Sequence, residues 1–92
     1  MKFKWLKMRD RIIRMDRIHE FWIDREIDGN YSVFAGVFGS QPILLETFPT
    51  YSEAEEFLGR LSYAIARKKI IDVESLKDMD DFFENEDDDF SL

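Results

Sequence analysis

Residues 21–48, FWIDREIDGNYSVFAGVFGSQPILLETF, decide the fold. Three runs rich in β-branched and aromatic side chains are separated by two turn signals. Asp28-Gly29-Asn30 is the clearest turn in the chain, because glycine tolerates the positive φ that a tight turn between apolar runs requires. Gly39-Ser40-Gln41-Pro42 is the second. Tyr31–Phe38 is apolar on both parities, as expected of a central strand covered on both faces, and Ile43–Phe48 is the strand that follows.

Upstream, Phe3, Trp5 and Lys7 alternate with their neighbours, and Asp10 within Lys7–Arg11 marks a turn. Ile12–Ile27 is again rich in strand formers. Ile13, Met15, Phe21, Ile23 and Ile27 share one parity, whereas Ile18 and Trp22 have the other, which places a bulge or bend near residues 16–20.

Downstream, Thr50-x-x-Glu53 fits a capping box that opens a helix. Glu53, Glu55 and Glu56 lie at its start and Arg67, Lys68 and Lys69 at its end, in accord with the helix dipole. Ala54, Phe57, Leu58, Leu61 and Ile65 form one stripe at helical spacing. Gly59 interrupts this helix and is expected to let it approach the sheet closely. From Ile70 onward the chain reads as a tail, in which Asp72 caps a short helix bearing Leu76, Met79 and Phe83, before the disordered run ENEDDDFSL.

The expected fold is therefore α+β. An antiparallel β-meander of three to five strands is followed by one helix packed on one sheet face, then by an acidic tail. The expected division is a compact domain over 1–71 and the tail over 72–92.

Ninety-two residues make one domain. With no cysteine in so small a chain, a reducing compartment is the expectation. The charged start MKFKWLK has no signal-peptide character, and no apolar run approaches the ~18 residues of a membrane helix. Together these predict a cytoplasmic protein. The net charge of −7 is unevenly placed. Met1–Arg17 holds seven Lys/Arg against two Asp, and Asp72–Leu92 holds ten Asp/Glu against one Lys. Residues 1–71 carry twelve basic and ten acidic side chains, so the body is nearly neutral.

The chemistry of catalysis is sparse in this sequence. His19 is the single histidine and lies within a predicted strand, where a packed or surface role is the usual one. One histidine and no cysteine exclude ordinary zinc sites and Cys–His catalysis. There is no Gly-x-Ser-x-Gly and no Gly-rich phosphate loop. The carboxylate pairs fall in the tail, without the buried pocket a general acid needs or the turn glycine and spacing of a Ca²⁺ loop. The expectation is a non-enzymatic protein with no cofactor and no metal site.

Two segments are candidates for binding. The tail interleaves carboxylates and aromatics through Asp78, Asp80, Asp81, Phe82, Phe83, Glu84, Glu86, Asp87, Asp88, Asp89 and Phe90. It suits a protein partner with a basic surface, its carboxylates standing in for phosphates; the plain alternative is a disordered tail. The start carries Lys2, Lys4, Lys7, Arg9, Arg11 and Arg14 around Trp5, which suits nucleic acid, with the acidic tail as an autoinhibitor. Its alternatives are an edge strand protected by charge and a basic face that holds the protein's own acidic end. An exposed edge strand also offers a route to a homodimer.

Trp5-Leu6-Lys7, Arg9-Asp10-Arg11 and Asp16-x-Ile18, followed by Leu45-x-x-Phe48-x-Thr50-x-x-x-Ala54-x-x-x-Leu58, resemble a group of short uncharacterised proteins. These are common in Gram-positive bacteria and their phages and mobile elements. The group's pattern runs from W-[IL]-R-S-Q-D-K to L-G-x-Y-x-T-x-E-R-A-x-x-x-L. Here Met8 and Arg9 stand in place of Ser-Gln, Asp16 in place of Asn, and the glycine near the last strand is missing. The motif residues specify turns and a helix cap, so the resemblance implies a fold and a mobile-element setting. It implies no activity.

Overall fold

The computed structural model describes residues 3–77. Its elements are β1 (Trp5–Met8), β2 (Arg11–Arg14), a single 3₁₀ turn (Met15–Arg17), β3 (Ile18–Arg25), β4 (Tyr31–Val37), β5 (Ile43–Phe48), α1 (Tyr51–Arg67), β6 (Ile70–Asp72) and α2 (Val73–Lys77). Strands β3, β4 and β5 form the antiparallel meander that the two turns predict. Gly29 sits at φ +91°. Glu26 N–H donates to Asn30 C=O and Gly29 N–H to Glu26 C=O, at 2.7 and 3.0 Å. Those two bonds define a three-residue hairpin loop whose glycine takes the left-handed position.

Helix α1 begins where the capping box places it. The Thr50 hydroxyl accepts from Glu53 N–H at 3.2 Å and donates to the Glu53 carboxylate at 2.9 Å. Its buried residues Ala54, Phe57, Leu61 and Ala64 pack on one face of the meander, against Val33, Ala35, Val37, Ile43 and Leu45. Gly59 differs from expectation. A Cβ built there would meet nothing within 4 Å, so the glycine points into open space and serves no close approach.

The first hairpin does not join the meander. It turns at Arg9-Asp10, with Arg9 at φ +51°, and pairs with β6 in a second three-stranded sheet of order β2-β1-β6. The 3₁₀ turn and a bulge between Ile18 and Glu20 redirect the chain between the sheets, at the place where the parity of apolar residues changes. Strand β6 runs parallel to β1, with Trp5 opposite Ile70, Leu6 opposite Ile71 and Lys7 opposite Asp72. Leu6 and Ile71 thereby enter the same core as the meander and α1.

The packed unit extends past the expected boundary at Ile71. Val73 and Leu76 are fully buried. Asp72 caps α2 through its carboxylate, which accepts from Glu74 N–H at 3.1 Å. Arg60 of α1 donates to Leu76 C=O at 3.2 Å, and Lys77 pairs with Glu46 of β5 at 3.2 Å. Residues 72–77 are thus structural, because two apolar side chains at helical spacing complete the core; the segment carrying Met79 and Phe83 lies outside the described residues. Among the described residues, no helix is long and apolar enough to cross a membrane.

Two substitutions read this packing in urea unfolding. Gly59→Ala should raise stability by about 0.5–1 kcal/mol, since it adds helix propensity without a clash. Leu76→Ala should lower it by about 2–5 kcal/mol through the lost apolar contact and the cavity left behind.

Candidate interaction surfaces

Of the basic start, Lys4 is drawn into the fold, whereas Lys7, Arg9, Arg11 and Arg14 remain exposed. Leu6 and Met8 face the core, and Lys4, of the same parity, sends its Nζ to the carbonyl of Ile65 near the C-terminal end of α1. An ammonium there suits carbonyls carrying the negative end of the helix dipole. Lys7 faces Asp72 at 4.0 Å and Arg9 faces Glu74 at 3.8 Å. The beginning of the chain therefore meets the beginning of its acidic end, the third of the sequence alternatives, at these two pairs. Both are exposed and long, so each adds little stability by itself.

Arg14 makes a two-pronged contact with Asp16, at 2.7 and 3.0 Å, and its guanidinium lies 4.1 Å from the centre of the Phe3 ring. The hydrogen bonds from Arg14 hold the Asp16 carboxyl below the usual carboxylate range, with the Arg14 and Arg17 charges adding to the effect. Because the folded-state pKa is depressed, the contribution of this pair is present above the unfolded pKa and lost as pH falls through the folded one. Arg11 has no ion-pair partner among the described residues. Lys2 and the whole acidic set from Asp78 to Phe90 lie outside the described residues.

Two sheet faces expose apolar side chains. On the second sheet, Trp5 is flanked by Arg14 and Ile70, with Ile12 opposite Lys7 on the same face; Ile12 and Ile70 are each 56% exposed. On the meander, the face away from α1 carries an aromatic layer that alternation along β3 and β4 puts together. Trp22 stacks on Phe34 with ring centres 5.8 Å apart, and its Nε1 donates to Asp24 at 3.0 Å. His19 packs against Phe38 at 4.8 Å. A Cβ at Gly36 would stand 2.7 Å from the His19 ring and 3.0 Å from Trp22, so the glycine admits these rings onto the strand. His19 is thus a packing residue. The expectation that β4 is covered on both faces holds only in this local sense, since the second cover comes from side chains of β3. The signal was present in the sequence as Trp22 on the off parity and Phe34, Gly36 and Phe38 on one parity.

Depressions in the surface of the described residues include two of note. A cleft of about 390 Å³ lies between the β1–β2 turn (Met8, Arg9, Asp10, Arg11) and Ser40–Leu44 at the start of β5. An apolar groove of about 230 Å³ lies between α1 and β3, lined by Phe21, Leu58, Leu61, Ser62 and Ile65. Among the described residues no three His, Asp or Glu side chains converge as metal ligands.

No protein-family model, no curated protein and no solved structure matches the chain.

The Arg14–Asp16 contact is directly measurable. In an NMR pH titration, the Asp16 carboxyl should titrate below the ordinary Asp range, and Arg14→Gln should return it toward that range.

Proposed function

We propose that the protein is a non-enzymatic protein-binding module, a regulator or inhibitor of the mobile-element type, whose acidic end occupies the basic groove of a partner that normally holds nucleic acid. The observation that carries this reading is the separation of charge. Residues 1–77 hold thirteen Lys/Arg and twelve Asp/Glu, whereas residues 78–92 hold eight Asp/Glu and no base. Lys7, Arg9 and Arg14 are already paired inside the body, so the uncompensated negative charge stands in 78–92. Phe82, Phe83 and Phe90 interleave that charge and supply apolar anchors, which a purely solubilising segment does not need. Asp78, Asp80, Asp81, Glu84, Glu86, Asp87, Asp88 and Asp89 take the place of phosphates. Affinity for a cationic groove is then expected to fall steeply with salt.

The fold dictates where the test truncation must fall. A chain cut after Ile71 loses Val73 and Leu76 from the core, so the informative variant ends at Lys77. In pull-downs from lysate eluted by a salt gradient, the full chain should retain a partner that the chain ending at Lys77 does not. Equal retention by both removes the acidic segment from the mechanism.

A second reading, single-stranded nucleic acid on the open face of the β2-β1-β6 sheet, is favoured by one observation: Trp5 lies between Arg14 and exposed Ile70, and the next pair along the same face is Lys7 with exposed Ile12. Aromatic stacking with nearby cations is the physics of such platforms. It predicts that the chain ending at Lys77 binds labelled single-stranded DNA at low salt more tightly than the full chain does, and that Trp5→Ala removes the binding.

A further inference from the structure

The cleft between the β1–β2 turn and β5 has two unlike walls. One wall carries Arg9 and Arg11 with Asp10 between them; Arg9 also faces Glu74 of α2, and Arg11 has no ion-pair partner among the described residues. The other presents exposed Pro42 and Leu44, the latter 49% exposed, on either side of buried Ile43. A ligand that fits must therefore be acidic and apolar within a few residues.

The chain itself supplies such a segment, and the fold delivers it to this place. Glu74 reaches Arg9 on the arginine wall at 3.8 Å. Three residues later Lys77 is tied at 3.2 Å to Glu46 of β5, the strand whose first residues line the other wall. Fifteen residues follow Lys77. Fully extended they would span roughly 50 Å, more than the 45 Å longest dimension of the fold. Phe82 and Phe83 come only five and six residues after Lys77, with Asp80, Asp81 and Glu84 around them.

We infer that the cleft lined by Arg9, Arg11 and Leu44 is an intramolecular docking site for the protein's own acidic–aromatic segment, residues 78–92, with a Phe82/Phe83 phenyl against Pro42–Leu44 and flanking carboxylates toward the arginines. Tethering makes a weak contact sufficient. A short linker holds the segment at an effective concentration in the millimolar range, so a contact with a dissociation constant of that order is substantially populated. Salt weakens the docking by screening the exposed arginines, and a more cationic external surface displaces it. The apolar α1–β3 groove lacks arginines, and the Trp22–Phe34 face carries acidic Asp24 and Glu20 beside its rings. Neither matches the charge of the segment. This docking is a property of the protein alone and stands whether or not the segment also meets an external partner.

The absence of cysteine allows a clean test. A nitroxide label on full-length protein carrying Asn85→Cys should broaden the amide signals of Met8–Arg11 and Ser40–Leu44 at low salt. The broadening should vanish at 1 M salt and in a full-length variant that adds Arg9→Glu and Arg11→Glu. It should also persist when the labelled protein is diluted into unlabelled protein. Broadening that is absent, that centres on Leu58–Ile65 or on Trp22 and Phe34, that survives both salt and charge reversal, or that passes only between molecules overturns the inference. If the double variant misfolds, the salt arm on the parent chain decides the electrostatic part by itself.

Discussion

The fold depends on one long-range pairing. Trp5–Lys7 and Ile70–Asp72 lie side by side as parallel strands, and Trp5 N–H donates to Lys69 C=O at 2.8 Å. Parallel neighbours need a long crossover, and here the crossover is the rest of the domain: the first hairpin's return, the meander and α1. This pairing brings Leu6 and Ile71 together at 0% and 1% exposure and positions Val73 and Leu76 beside them. Without it, the hairpin would be a two-stranded ribbon, which is marginal in water, and α1 would be covered on one side only.

The same pairing arranges the charges. Drawing β6 alongside β1 sets Asp72 against Lys7, and the turn into α2 sets Glu74 against Arg9. Lys4 is directed to the carbonyl of Ile65 near the end of α1. Lys7 and Arg9 thereby each face a carboxylate of the same chain, while the eight carboxylates after Lys77 far exceed the single base by which thirteen Lys/Arg outnumber twelve Asp/Glu in residues 1–77. A body that supplies shape and a segment that supplies charge follow from this arrangement, and both the external and the intramolecular readings of residues 78–92 draw on it.

Hydrophobic packing sets where the body ends. An acidic composition from Asp72 onward suggests a solvated tail, yet Val73 and Leu76 alternate with Glu74, Ser75 and Lys77 so that one face of a short helix is apolar. That face is buried and the charged face is not. Composition averages over both faces and so places the boundary several residues early. The same averaging conceals the aromatic layer of the meander, where Trp22 and Phe34 meet only because they fall opposite each other in register.

Features fixed by contacts within a few residues are legible in the amino-acid order. The Gly29 turn follows from a φ that other residues resist, the α1 start from the Thr50–Glu53 cap, the α1 face from apolar spacing, and the bend before β3 from a change of parity. Only the tertiary structure decided that residues 5–7 and 70–72 are neighbours, that Gly59 faces open space, that His19 lies over Gly36, and that Arg9, Arg11 and Leu44 share a cleft. The physical reason is that a turn, a cap or an amphipathic stripe stabilises a segment through its own backbone and neighbours. A three-residue strand such as Ile70–Asp72 has no such local support and exists because a partner sixty-five residues away offers it hydrogen bonds and a core to enter.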